Sequence, residues 1–211
     1  MRGSSNLRRW LRGDGRMSSP APVVILAEDQ RQARLVRAYM RARHPNLHQE
    51  AIHDAPMANG RGSGAQWVAN QYETEVRAHL IRRAKLPDQR RSEKWLIVVI
   101  DADAGSVQDR INELRKRVTE SKDERVRKCS VEEVNIARLI PKWSIETWIL
   151  NLNGETVDEE TRYKPQNRPW DDLIPSAGAE LHEWARSGQD PPDQCTPSLK
   201  LSIGELRRLT A

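Results

Sequence analysis

The sequence predicts an α/β fold, a mostly parallel sheet flanked by helices, and three observations carry that expectation. Residues 95–100, WLIVVI, form an unbroken apolar run rich in Val and Ile, the pattern of a strand covered on both faces. A second run, VVILA at 23–27, has the same character, and stretches with apolar residues at helical spacing follow both. Each run stops abruptly at acids, Glu28 and Asp29 after the first, Asp101 and Asp103 after the second. In open α/β sheets ligands bind beyond the carboxyl ends of the strands, so these acids sit where chemistry is expected.

Taken in order, each element has its own reason. Residues 1–20 hold Arg2, Arg8, Arg9, Arg12 and Arg16 against Asp14 alone, with too few apolar side chains to bury a core. A disordered basic leader is expected there, with Met17 an alternative start. Pro20 and Pro22 mark the boundary before the first strand. Residues 30–43 place Ala33, Val36, Tyr39 and Met40 on one helical face, and the arginines between them read as a solvated face. That helix should stop at His44, because a residue before proline is pushed out of the helical region. Residues 47–53 alternate weakly and suggest an edge strand, with His48 and His53 incidental because no partner ligand lies at metal spacing. Gly60, Gly62 and Gly64 lack the spacing of a dinucleotide fingerprint. They belong either to a flexible connector or to a loop whose amides and Arg61 approach a phosphate.

A second helix is expected over 67–84, with Trp67, Val68, Tyr72, Val76, Leu80 and Ile81 as its apolar stripe, followed by a charged turn at 87–93. After Gly105 a helix over 107–118 presents Val107, Ile111, Leu114 and Val118, with Ser106 as N-cap and Asp109 near its positive end. A charged stretch, 119–128, precedes a fourth strand at 135–140. Ser144 can cap the next helix, which sets Glu146 in its first turn and makes it a third acid at the same edge if the strands are parallel. From Asn153 onward the sequence gives a proline-punctuated loop at 163–170, a short helix at 177–186 and a basic amphipathic helix at 199–209. This part is expected to pack on the sheet as a helical extension. Trp148, Trp170 and Trp184 are expected to be core aromatics in a chain without Phe.

Composition narrows the function classes. The net charge of +5 is mostly the leader's, whose own balance is +4, so the body is nearly neutral. At 211 residues, 37% of them hydrophobic and 31% charged, the chain suffices for one α/β domain with an extension. No apolar run approaches the ~18 residues of a membrane span, and the first residues lack the hydrophobic segment of a signal peptide, so a cytoplasmic protein with no membrane partner is expected. Cys129 and Cys195 have no metal-ligand spacing and read as ordinary thiols.

Together the motifs resemble a known family. Glu28 closing the first strand, Asp101-Ala102-Asp103 closing a later one, and a helix between them resemble the Toprim domain shared by type II and IA topoisomerases, primases and OLD-family nucleases. Lys142-Trp-Ser-Ile-Glu146-Thr-Trp148 is similar to the (I/F)E-x-W element of small stand-alone Toprim-like proteins of bacterial defence loci. The resemblance covers roughly residues 22–152. It implies a Toprim/Rossmann-like domain at 21–152 between the basic leader and an extension at 153–211. The chain departs from the pattern at its first motif. The family usually has Glu-Gly followed by an acid a few residues later, whereas here Asp29 takes the glycine position and Gln32 stands where an acid is expected. Aspartate adopts a left-handed turn less readily than glycine.

The resemblance implies a metal-dependent nuclease working in phage defence or DNA processing. Neighbouring carboxylates raise one another's pKa and a divalent cation relieves this, and oxygen ligands suit Mg²⁺ or Mn²⁺. The implied ligands are Glu28, Asp101, Asp103 and Glu146. Asp101 and Asp103 are expected to reach the metal together, as residues two apart on a strand point the same way. Glu28 would complete the shell or act as general acid or base, and Glu146 would hold a second ion in a two-metal clamp. Lys142 is either a group that neutralises transition-state charge or an ordinary loop lysine. No tyrosine adjoins these motifs, which favours hydrolysis by water over strand passage. The implied partners are nucleic acid, DNA rather than RNA, and a separately encoded ATPase, since the chain has no Walker A sequence; a homo-oligomer also fits. Two other readings stay open: a Toprim-like module that binds nucleic acid or a partner without cutting, and a primase-like nucleotidyl or phosphotransfer enzyme.

Overall fold

The computed structural model describes residues 23–45, 52–54, 64–163, 167–186, 188 and 190–209, so the basic leader, His48 and most of the glycine-rich stretch, Arg61 included, lie outside the described residues. Four parallel strands, β1 (Val23–Ala27), β2 (Ile52–Asp54), β3 (Trp95–Val99) and β4 (Ile136–Leu139), form one sheet in the order β2-β1-β3-β4. The chain steps from β1 outward to β2, then returns past β1 to β3 and β4, so the order reverses between β1 and β3. Right-handed crossovers that run in opposite directions put their helices on opposite faces. That is what is found.

Side chains alternate along β1, with Val23, Ile25 and Ala27 on one face and Val24 and Leu26 on the other. The first face is covered by α1 (Gln30–Arg43), α6 (Ile145–Leu152), α7 (Trp170–Ala185) and α8 (Pro197–Arg208). The second is covered by α2 (Gly64–Ala84), α4 (Val107–Thr119) and the single turn of α5 (Glu124–Arg127). A short α3 (Asp88–Arg91) precedes β3. Trp148, Trp170 and Trp184 are all buried on the first face, and the indoles of Trp148 and Trp184 donate to Ser198 Oγ (2.8 Å) and Glu180 Oε1 (2.6 Å). The helices α1 and α7 approach closely at Gly178, where a Cβ would lie 2.3 Å from that of Ala38.

The outer edge of β4 is closed by side chains rather than by another strand. Glu205 of α8 accepts the Arg138 N–H (3.0 Å), and Ser202 Oγ accepts the Ile140 N–H (3.3 Å). Such cover removes the open edge that would pair with another chain.

Several boundaries differ from expectation, for local reasons. The charged stretches at 87–93 and 119–128 each contain a one-turn helix, the second capped by Asp123. The helix expected at 177–186 begins at Trp170, because Pro175 inside it reads as a break in the sequence. In α2, which begins at Gly64, the stripe runs through Val68, Tyr72, Val76 and His79, while Ile81 is exposed. Of the edge strand expected at 47–53, Ile52 and His53 lie in β2 and 47–51 fall outside the described residues. Ser144 stands at the N-cap of α6, yet its hydroxyl makes no capping bond.

Candidate functional site at the reversal of strand order

The site begins at the turn from β1 into α1. Asp29 is extended (φ −143°, ψ 172°), and its carboxylate caps α1 by accepting the Gln32 N–H at 2.9 Å. An aspartate therefore serves where a left-handed residue was expected, because this turn does not use the left-handed region. One helical turn on, Gln32 is fully buried and links two strand ends. Its Oε1 accepts the Glu28 N–H (2.8 Å), and its Nε2 donates to Asp101 Oδ1 (2.8 Å). Glu28 reaches the same place from the other side, with Oε2 accepting the Asp101 N–H at 3.3 Å. Behind Glu28 lies the start of α2. A Cβ on Gly64 would fall 2.2 Å from Glu28 Cγ and 2.9 Å from its carbonyl oxygen, so only glycine leaves the carboxylate stem this room.

Asp101 and Asp103 do not share a strand face. β3 ends at Val99, but its pairing with the β4 side runs on through the Ile100 N–H on the Leu139 carbonyl (3.2 Å) and the Ala102 N–H on the Pro141 carbonyl (2.8 Å), and the backbone turns at Asp103, which lies in the left-handed region at φ 54°. The rule that residues two apart point the same way holds only for extended backbone. Asp101 is therefore buried, while Asp103 is exposed. From the first turn of α4, Arg110 secures this loop: its Nε donates to the Asp101 carbonyl (3.1 Å), and a terminal nitrogen lies 3.9 Å from Asp103 Oδ2. Ser106 and Asp109 form a capping box that fixes the helix carrying Arg110.

The third element is the β4–α6 connection. Lys142 Nζ donates to the carbonyl of Gly105 (2.7 Å) and lies 3.5 Å from that of Asp103, tying this connection to the Asp101–Asp103 loop. Trp143 beside it carries two cations on its ring, Lys142 at 4.6 Å and Arg162 at 4.2 Å from the centroid. Glu146, 1% exposed in the first turn of α6, is ion-paired with Arg31, whose guanidinium also lies 5.6 Å from the centre of the Trp170 ring. The fold thus brings Glu28 and Asp101 together, gives Glu146 to Arg31, and leaves Asp103 on the rim beside Arg110. Among the described residues no three His, Cys, Asp or Glu are grouped so as to hold an ion.

No family model, curated protein or solved structure matches this chain. Of three residues that matter here, Gln32 stands out in the sequence as the departure from an expected acid, while Arg31 and Arg110 do not. The spacing of four from Glu28 returns the Gln32 side chain over the strand end. Arg31 had no such signal, because Glu146 lies 115 residues away, whereas Arg110 follows Asp101 by nine residues and meets it through the turn into α4. Among the described residues no helix is long and apolar enough to cross a membrane.

Proposed function

We propose that the chain is a Toprim-type, metal-dependent nuclease in which Glu28 and Asp101 hold Mg²⁺ or Mn²⁺ against a phosphate of a nucleic acid. The observation that carries this reading is the contact between the ends of β1 and β3 at the reversal of strand order, where Glu28 accepts the Asp101 N–H and Gln32 holds the Asp101 carboxylate. Mg²⁺ is commonly held by one or two protein carboxylates, with waters and substrate phosphates completing its octahedron, so this pair fits as a donor set without Glu146. Such an ion supplies Lewis-acid polarisation of a phosphoryl oxygen.

The remaining work falls to the chain's own groups. Gln32 fixes one oxygen of Asp101 and so sets the orientation of its carboxylate at the strand end. Arg31, anchored by Glu146 and Trp170, and Arg110, beside Asp103, keep two guanidinium groups near the strand ends, where they would pair with phosphate oxygens in a fork geometry. Lys142 holds the loop between them. A role in phage defence and a separately encoded ATPase partner belong to the same proposal through the family resemblance.

One set of observations favours a second reading, a module that binds nucleic acid or a partner without cutting. Arg31 already neutralises Glu146, and Gln32 already satisfies one oxygen of Asp101. Purified protein with DNA or RNA and millimolar Mg²⁺ or Mn²⁺ separates the two. Metal-dependent cleavage that falls at least a hundredfold in Asp101→Asn and Glu28→Gln is the nuclease result. Absence of cleavage together with no heat of metal binding by calorimetry leaves the module. Release of pyrophosphate from nucleotides would instead assign nucleotidyl transfer.

A further inference from the structure

We infer that the groove between α1 and α7 is a track for single-stranded nucleic acid leading away from the acidic edge, an inference that rests on the phosphodiester reading above. Helix α1 carries five arginines and no acid. Arg31, at its start, reaches Glu146 at the strand ends. Arg34, Arg37 and Arg41 continue from it and line one side of a groove of about 550 Å³, with Ala38, Ala42 and Pro175 as its apolar part and Asp171 as its one acid. At 1.5 Å per residue, Arg34 and Arg41 are about 10 Å apart along the helix, which is room for more than one backbone phosphate. The basic row starts where the acids are, and it is continuous.

The state of the three arginines fits an exchangeable anion. Arg41 is exposed and has no partner among the described residues. Arg34 is held by Asp171 at 2.6 Å, but both side chains are largely exposed, 50% and 69%, and such a pair contributes little. A phosphate that accepts two parallel N–H bonds competes well for that guanidinium. Arg37 is more enclosed and pairs with Asp54 at 2.8 Å, which holds it at the edge of the groove. The apolar lining chooses between strand forms. A duplex approached from outside offers phosphates and has no use for an apolar wall, whereas an unstacked base has a face to lay on the exposed ring of Pro175, under which Ile174 is buried, or on a guanidinium plane.

The test is fluorescence anisotropy with a labelled oligodeoxythymidine in EDTA, where metal and cleavage play no part. Wild type should bind, and the variant carrying Arg34→Ala, Arg37→Ala and Arg41→Ala should bind at least tenfold more weakly. Its plot of log affinity against log salt should be shallower by about 2, the value for three lost phosphate contacts on a single strand. Arg41→Glu alone, which breaks no described contact, should weaken binding at least threefold and guards against misfolding of the triple variant. Unchanged affinity or slope in these variants overturns the track, as does absence of binding by wild type or tighter binding of a blunt duplex than of the single strand. The two proposals fail separately. Groove-dependent binding without any Mg²⁺-dependent cleavage sinks the nuclease and keeps the track, while Asp101-dependent cleavage with groove-independent binding does the reverse.

Discussion

At the scale of single residues, Glu28 and Asp101 meet through a buried amide, Gln32, while Glu146 is held by Arg31 and Asp103 lies beside Arg110. Glu28, Asp101, Asp103 and Glu146 were found because apolar runs stop at them. Whether they converge depends on Gln32, on the pairing of Arg31 with Glu146, on Arg110 against the Asp101–Asp103 loop, and on the backbone turning at Asp103. His79 is a similar case. It lies on the buried stripe of α2 and is 1% exposed, with Nε2 2.6 Å from the Val134 carbonyl, to which the neutral ring donates. Burial lowers its pKa to about 4, with Arg82, Arg83 and Lys94 acting in the same direction. The unfolded chain, with an ordinary imidazole near 6.5, binds more protons between those values. The stabilisation is thus complete above pH 6.5 and is lost as pH falls toward 4, by about 3 kcal/mol at the end of that range. Urea midpoints taken from pH 4 to pH 8 should show this slope in wild type and a shallower one in His79→Gln. Equal slopes would refute the assignment.

At the scale of elements, the three longer strands and α1 were read at nearly their observed bounds, because continuous apolar runs and a 3.6-residue stripe are local signals. The errors came where local signals mislead: Pro175 hid the first two turns of α7, and single-turn helices hid inside charged stretches. What joins one element to another was less legible still. The edge of β4 depends on α8, whose Glu205 accepts the Arg138 N–H and also pairs with the buried Arg138 guanidinium at 3.4 Å. Glu205→Ala would leave a buried guanidinium with only Glu132 and an edge N–H without its acceptor. Removing one partner of a buried pair costs about 3–5 kcal/mol, and the partial exposure of Glu205 places this case nearer 2–3 kcal/mol. Glu205→Gln, which keeps an acceptor for the N–H, should recover part of the loss. A drop of less than about 0.5 kcal/mol in urea denaturation of Glu205→Ala would show that the edge is held by packing alone.

At the scale of the whole molecule, the reversal of strand order and the C-terminal helices together build the site. The reversal puts α1 on one face and α2 and α4 on the other, so Gln32, Gly64 and Arg110 approach the strand ends from both sides of the sheet. The residues after 152 extend the first face. Trp170, Ile174, Leu181 and Trp184 of α7 and Leu199, Ile203 and Leu206 of α8 share one core with Val23, Ile25 and Ile97. At roughly 1.5–3 kcal/mol for each large apolar side chain buried, removing these helices forfeits about as much as the 5–15 kcal/mol by which a domain of this size is stable, or more. It would also strip the support of Glu146, because α8 and the turn before it grip α6 through the Trp148 indole on Ser198 and through Asn151, whose Oδ1 accepts the Thr196 N–H at 3.1 Å. A chain ending at Leu152 should therefore show no cooperative thermal transition by circular dichroism and should be digested by protease under conditions that spare the full chain. A cooperative transition in that fragment would mean that the sheet and its first four long helices hold together unaided, and that the C-terminal helices serve some end other than stability.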